Sequence, residues 1–149
     1  MTPPIRFYLV RHGKAEAKRA DDASRRLTPD GRARFAAHAR ALAKDLALER
    51  IVTSPFARAH ETADLLAQAT GAPVVEEAAL ASGASSGREV LRLGSSLGAG
   101  VALVGHNPEL AEAVAIAAGK SVALEPGAVA AIEADEQGGF RLAWLRTPR

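Results

Sequence analysis

Two histidines and two arginines stand where an apolar run gives way to a turn, and those residue types together can do phosphoryl chemistry. Arg11 and His12 follow Leu9-Val10 and precede Gly13; Arg58 lies just beyond Ser54-Pro55; His106 follows the apolar run 101–105. A guanidinium is costly to bury and offers forked donors, so a strand that delivers one to a turn delivers it to an anion. Gly13 lets the backbone turn away in conformations closed to other residues. An imidazole can be a nucleophile, an acid/base or a metal ligand. No carboxylate or third histidine accompanies His12 and His106 at metal-binding spacing, and two flanking arginines would repel a divalent cation; neither a metal nor another cofactor is expected. The remaining option is nucleophilic. One imidazole attacks phosphorus in line, a phosphohistidine forms, and water hydrolyses it. Arg11 and Arg58 would keep that imidazole neutral and stabilise charge on the equatorial oxygens. The competing account is an ordinary strand end with a solvated arginine and a stray histidine.

The elements that must position these residues alternate. Residues 5–10 form a short apolar strand, followed by a highly charged stretch, 14–26, that reads as a mobile surface loop with room for a helical turn. Thr28-Pro29-Asp30 is a helix start, with Thr as cap, Pro in the first turn and Asp at the positive dipole end. Phe35, Ala39, Leu42 and Leu46 give its apolar face, and His38 lies on the surface or half-buried. A second strand, 50–53, runs into Ser54-Pro55, read as a second cap-and-proline start, and a helix over 55–69 closes at Gly71. A short edge strand at 72–75, a Gly/Ser-rich loop at 82–87 and a weaker helix over 89–97 follow. Residues 101–105 form the most clearly buried strand, entering a third such start at Asn107-Pro108 and a helix over 108–118. Residues 128–134 and 140–145 flank Asp135 to Gly139 as a β-hairpin. The pattern predicts a single α/β domain over 1–149. It is a three-layer structure: a mainly parallel central sheet, helices on both faces, and an antiparallel C-terminal strand or hairpin. Ligands of such sheets bind beyond the carboxyl ends of the strands, which sets 11–13, 54–58 and 105–107 side by side.

Composition removes several other classes. Nineteen cations against 17 anions, with no long basic run, do not make a nucleic-acid surface, and only six aromatics leave few stacking platforms. With no cysteine there is no disulfide, no thiolate zinc site and no cysteine nucleophile. No apolar run reaches membrane-spanning length and the first residues lack a signal-peptide pattern, so a cytoplasmic location with no membrane partner is expected.

Four segments carry a resemblance: Leu9-Val10-Arg11-His12-Gly13, Leu27-Thr28-Pro29-Asp30-Gly31, Ser54-Pro55-Phe56-Ala57-Arg58-Ala59-His60-Glu61-Thr62-Ala63 and Gly105-His106-Asn107-Pro108. In this order they resemble the motifs of the histidine phosphatase (phosphoglycerate mutase-like) superfamily, and in shortness and the Gly-His-Asn-Pro form they are most similar to its SixA branch. The resemblance implies His12 as the phosphorylated nucleophile. Arg11, Arg58 and His106 would make the phosphate pocket, with Gly13 and the Asn107 backbone N–H beside them. Glu61 and Thr62 would be structural and His60 a surface residue. It also implies a phosphorylated substrate, with phosphohistidine on a signalling protein as the leading one.

The chain departs from larger members where they place a glutamate that protonates the leaving group. The matching position is Ser82, and Glu76 and Glu77 are read as solvated. An imidazole leaving group can depart already protonated, so phosphohistidine needs less acid help than an alkyl ester. Two other readings stay open: a phosphatase of a small phosphorylated metabolite, and a non-catalytic phosphate- or phosphoprotein-binding module.

Overall fold

The first strand, β1 (Ile5–Arg11), is buried on both faces: Phe7 and Leu9 enter one core, Tyr8 and Val10 the other. Side chains of a strand alternate across the sheet, so this double burial requires a layer of helices on each side. The computed structural model describes residues 3–149. In chain order β1 is followed by α1 (Pro29–Leu42), β2 (Arg50–Thr53), α2 (Ala57–Thr70), β3 (Val74–Glu76), α3 (Gly87–Leu97), β4 (Val101–Gly105), α4 (Glu109–Ala118), β5 (Val129–Ala134) and β6 (Phe140–Arg146). The sheet order is β3-β2-β4-β1-β5-β6. The pairs β3–β2, β2–β4 and β4–β1 are parallel, while β1–β5 and β5–β6 are antiparallel. This is the expected α/β architecture, with the C-terminal hairpin added antiparallel beside β1.

Helices α1 and α2 cover the face that carries Tyr8 and Val10, and α3 and α4 cover the other. Thr28 caps α1 through its hydroxyl, which accepts from the Gly31 amide, with Pro29 in the first turn. Helix α3 starts two residues earlier than the sequence reading, because Ser86 and Glu89 form a capping box that the reading passed over. A Cβ on Gly94 would overlap the ring of Phe7, so glycine is what lets α3 sit close on β1.

Three local expectations are corrected. Helix α2 begins at Ala57 with Phe56 at its cap position, so Ser54 and Pro55 precede it rather than start it. Helix α4 begins at Glu109 with Pro108 at the cap position, and the Asn107–Pro108 peptide is cis. The 14–26 stretch is not a free loop. Ala15 bridges Leu27, residues 22–24 make a 3-10 turn, and Arg25 is buried with Nη1 on the Glu16 carbonyl. In each case a side chain or charge pair from elsewhere in the fold wins over the local signal.

Candidate active site

Parallel pairing brings the carboxyl ends of β1, β2 and β4 together. The His12 amide donates to the Gly105 carbonyl at 3.1 Å and the Ser54 amide to the Val104 carbonyl at 2.9 Å, so the three predicted segments are immediate neighbours. They and the 14–26 segment line a recess of about 560 Å3 containing Arg11, His12, Arg25, Arg58, His106 and Asn107.

The His12 ring is held in one orientation. Its Nδ1 lies 2.7 Å from the Gly13 carbonyl, which can only accept, so Nδ1 carries the proton and the Nε2 lone pair is left for attack. Arg58 donates Nε–H to that Nε2 at 3.3 Å. Burial lowers the His12 pKa to about 4; the bond to Gly13 opposes this and the charges of Arg58 and Arg11 add to it. The ring is therefore neutral at physiological pH, with Nε2 unprotonated. Gly13 has an unexpected part. It is absent from the positive-φ glycines, its N–H is donated to Thr62 Oγ1 at 3.0 Å, and its carbonyl fixes His12. That amide is engaged inside the protein rather than offered to a phosphoryl oxygen.

Arg58 is 3% exposed, its guanidinium stacked over the Phe56 ring at 5.3 Å. Nη1 donates to the Asp22 carbonyl at 2.7 Å and Nη2 to Asp22 Oδ2 at 3.1 Å. Asp22 Oδ1 also accepts from Arg25 Nε at 2.8 Å. Burial raises the Asp22 pKa, but the hydrogen bonds from Arg58 and Arg25 outweigh it and hold the carboxyl below its ordinary value. Arg11 donates Nη1 to the Leu124 carbonyl at 3.0 Å, and its Nε is buried without a partner. Asn107 braces the same carbonyl with Nδ2 at 3.1 Å, while its Oδ1 accepts from the Ala111 amide. The Asn107 side chain thus ties β4 to the segment before β5.

His106 faces His12 with ring centroids 5.2 Å apart. Its Nε2 is 2.8 Å from Ser54 Oγ, and its Nδ1 is buried without a partner. Burial, then the neighbouring His12 and Arg58, lower its pKa to about 3. Ser54 Oγ already accepts the Phe56 amide at 3.1 Å. If Ser54 gives its hydroxyl proton to Nε2, the His106 proton sits on Nδ1, ready for a phosphoryl oxygen. Ser54→Ala is accordingly expected to lower kcat by about tenfold through loss of that tautomer, less than the roughly 10²–10⁴-fold of a direct acid–base contact because Ser54 acts only through His106. Ser54→Thr should restore most of it; a normal kcat in the alanine variant would remove Ser54 from the site.

The two low histidine pKa values have a stability consequence. The unfolded chain binds protons near pH 6.5 and the folded chain only near 4 and 3, so stability is complete above about 6.5 and falls as pH drops toward 4. For His12 alone the loss is on the order of 3 kcal/mol at about 1.4 kcal/mol per pH unit. Urea denaturation at pH 7 and pH 4.5 measures it, with imidazole 15N NMR as a direct check. A protonated His12 signal already at pH 6 would contradict the geometry.

Two residues lining the recess, Asp22 and Arg25, carry no site signal in the sequence, nor does Ser54, which reaches the site through His106. Asp22 and Arg25 were visible only as an i,i+3 ion pair inside a charged stretch, and Ser54 only as a helix cap. Asp22 is the one carboxylate among the lining residues, and it is paired to Arg58. Ser82 is exposed on the rim; Glu77 caps the Ala79 amide, and Glu76 is exposed beside His60, both outside the lining. His60 is half-exposed between Asp64 and Glu76, and His38 is half-buried against Phe35. Glu61 accepts from Arg26, Arg32 and the Leu27 amide, and Thr62 Oγ1 donates to the Arg58 carbonyl, so both hold the surrounding frame. Among the described residues no group of three or more His, Cys, Asp or Glu side chains could hold a metal ion. No helix there is long and apolar enough to cross a membrane.

The family model described as histidine phosphatase superfamily (branch 1) matches residues 7–87. The chain belongs to this superfamily. The match covers His12 and Arg58 and stops before His106, which directly follows β4. No curated protein matches the sequence at a significant level. Among solved structures, a protein assigned as the phosphohistidine phosphatase SixA of Agrobacterium tumefaciens superposes with a TM-score of 0.84 at 23% identity, covering 99% of this chain and 100% of that one. A protein histidine phosphatase SixA complexed with tungstate gives 0.83 at 24%, covering 96% and 97%. A mycobacterial glucosyl-3-phosphoglycerate phosphatase gives 0.73 at 20%, covering 94% and 97%. At these identities the likeness establishes the histidine phosphatase fold over nearly the whole chain.

Proposed function

We propose that residues 1–149 form one phosphohydrolase domain that works through a phosphohistidine on His12, without a metal, on phosphohistidine carried by a protein. The observation that carries this is the convergence of buried, unpartnered nitrogens on the nucleophile. Three such side-chain atoms occur among the described residues, and two, Arg11 Nε and His106 Nδ1, belong to residues lining the recess beside His12. Buried polar groups are normally satisfied, so a site that leaves two orphaned beside a neutral imidazole is shaped for an oxyanion.

In the first step His12 Nε2 attacks phosphorus as the P–N bond of the substrate breaks, and the substrate imidazole leaves neutral because its other nitrogen already carries a proton. Water then attacks the phosphoryl group on His12, releasing inorganic phosphate and the neutral ring. Arg11, Arg58 and His106 donate to the equatorial oxygens in both steps. The carboxylate of Asp22 is held ionised by two arginines, so it is a poor proton donor. That absence of a ready acid favours a leaving group that supplies its own proton. The two SixA neighbours agree with this substrate class. The mycobacterial neighbour is named for a phosphorylated sugar acid, which keeps a small-metabolite phosphatase as the second reading.

Turnover of a phosphohistidine peptide, an aryl phosphate and phosphoglycerate, each with and without EDTA, tests the proposal. The expected order is phosphohistidine, then aryl phosphate, then phosphoglycerate, unchanged by the chelator. A preference for phosphoglycerate transfers the chain to the second reading, loss of activity in EDTA ends the metal-free mechanism, and phosphate binding without any turnover leaves a binding module.

A further inference from the structure

We propose that a basic groove leading from the recess along α1 is the docking track for an acidic segment of the phosphorylated protein; this deepens the substrate reading above and rests on it. At Gly13, Lys14 and Pro126 the recess adjoins a cleft of about 310 Å3 between Phe35, Arg34 and Glu125. That cleft in turn shares Arg34 and Thr147 with a wider one of about 870 Å3, bordered by Lys44, Asp45, Arg146 and Arg149.

The floor is built from segments in tight contact. A Cβ on Gly31 of α1 would overlap the Lys14 carbonyl, and one on Gly127 would lie 2.9 Å from Pro148 Cγ. Gly127 also lies against Phe35 of α1, so Lys14, two residues after His12, the first turns of α1 and the segment after β6 are locked together, and the track is fixed relative to His12.

Its charge is one-sided. Lys14, Arg34, Lys44, Arg146 and Arg149 face only Glu125 and Asp45, on a chain whose formal net charge is +2. Asp45 is occupied by Arg146 at 2.6 Å, and Arg34 Nε donates to the Arg149 backbone oxygen at 3.3 Å. Among the described residues Lys14, Arg34, Lys44 and Arg149 have no side-chain carboxylate partner. Exposed cations grouped beside a site raise the local concentration of an anionic partner and set its approach.

The track is too long for a metabolite. Ten residues separate Arg34 from Lys44, about 15 Å along a helix, which an extended peptide covers with about five residues. A small phosphorylated compound fills the recess alone; a protein segment reaches both. Nucleic acid would meet the same cations, and it is separated by experiment.

Fluorescence anisotropy with three nine-mer probes reads the track without catalysis: a Glu-rich peptide, a Lys-rich peptide and an RNA. The Glu-rich peptide is expected to bind best at low ionic strength and to lose its advantage at ~0.5 M salt, where the screening length is only a few ångströms. In Arg34→Glu/Lys44→Glu its Kd should rise about tenfold, an effect of the size expected for reversing two charges at a rim. With the phosphohistidine forms of the peptides, kcat/KM should fall by the same factor for the Glu-rich one and stay unchanged for free phosphohistidine. Arg34→Gln/Lys44→Gln, which only neutralises, should give about half the effect on a logarithmic scale and guards against misfolding of the reversal variant. Equal binding of the two peptides, an unaltered Kd in both variants, or RNA binding as tight as the Glu-rich peptide overturns the track. If no phosphohistidine substrate turns over while aryl phosphate does, the substrate reading fails, and the anisotropy still decides whether the track exists.

Discussion

His12→Ala is expected to reduce turnover of phosphohistidine peptide and aryl phosphate by about 10⁴-fold or more, in the range seen when a covalent nucleophile is removed. The reason is geometric. His12 Nε2 is the unprotonated nitrogen of a ring whose other nitrogen is tied to Gly13 and whose pKa is lowered to about 4 by burial. His106 cannot substitute for it, because its Nε2 is engaged by Ser54 and its position is on the flank of the recess. The accompanying signature is a phosphoenzyme that is acid-labile and base-stable in the wild type and missing from the variant. Full turnover in His12→Ala would show that water attacks the substrate directly. A labelled intermediate persisting there would move the nucleophile to another residue. The alanine leaves a small cavity beneath Arg58, so folding of the variant should be checked by its near-native cooperative denaturation.

Arg58→Ala should cost about 10²–10³-fold in kcat/KM, the range for removing one strong oxyanion donor. At 3% exposure this guanidinium is the most deeply buried charge in the recess, and it does three things there. It donates to the His12 lone pair, it stacks on Phe56, and its two terminal nitrogens hold Asp22 and so the 14–26 segment. The loss should therefore be double: slower chemistry, and a 14–26 segment more open to proteolysis. Arg58→Lys keeps the charge but not the fork, so it should recover only part of the activity and little of the protection. A decline of less than tenfold in the alanine variant would assign phosphate binding to Arg11 and Arg25 instead. An unchanged proteolysis pattern would mean that Arg25, through the Glu16 carbonyl, is sufficient to hold the loop.

Much of this was legible in the chain because the signals were local. The cap at Thr28, the apolar spacing of Phe35, Ala39 and Leu42, the uninterrupted run in β4 and the turn at Asp135 each reflect interactions within a few residues, and each element formed where expected. Strand ends were legible too. An Arg-His pair at a turn, and a second Arg and His beyond two other strands, needed only the rule that parallel strands carry their ligands at one end.

What the linear order could not show depends on residues far apart along it. Gly13 reads as a hinge, yet its amide and carbonyl serve Thr62 and His12. Ser54 reads as a cap, but α2 begins three residues later and the hydroxyl goes to His106, 52 positions away. Asn107 reads only as a backbone donor, and the sequence gives no sign that its side chain braces Leu124. The charged stretch 14–26 reads as solvated because its local i,i+3 pairs, Glu16 with Arg19 and Asp22 with Arg25, suit a surface loop; its anchor, Arg58, lies 36 positions beyond Asp22. By itself the sequence determined the strand-helix rhythm, and it singled out His12, the proposed nucleophile, and the cations near it, since these follow from side-chain chemistry and short-range periodicity. Only the tertiary structure decided which nitrogen of each histidine is free, which arginine is locked and where the recess continues. Those properties belong to hydrogen bonds and burial between distant segments, and no local pattern encodes them.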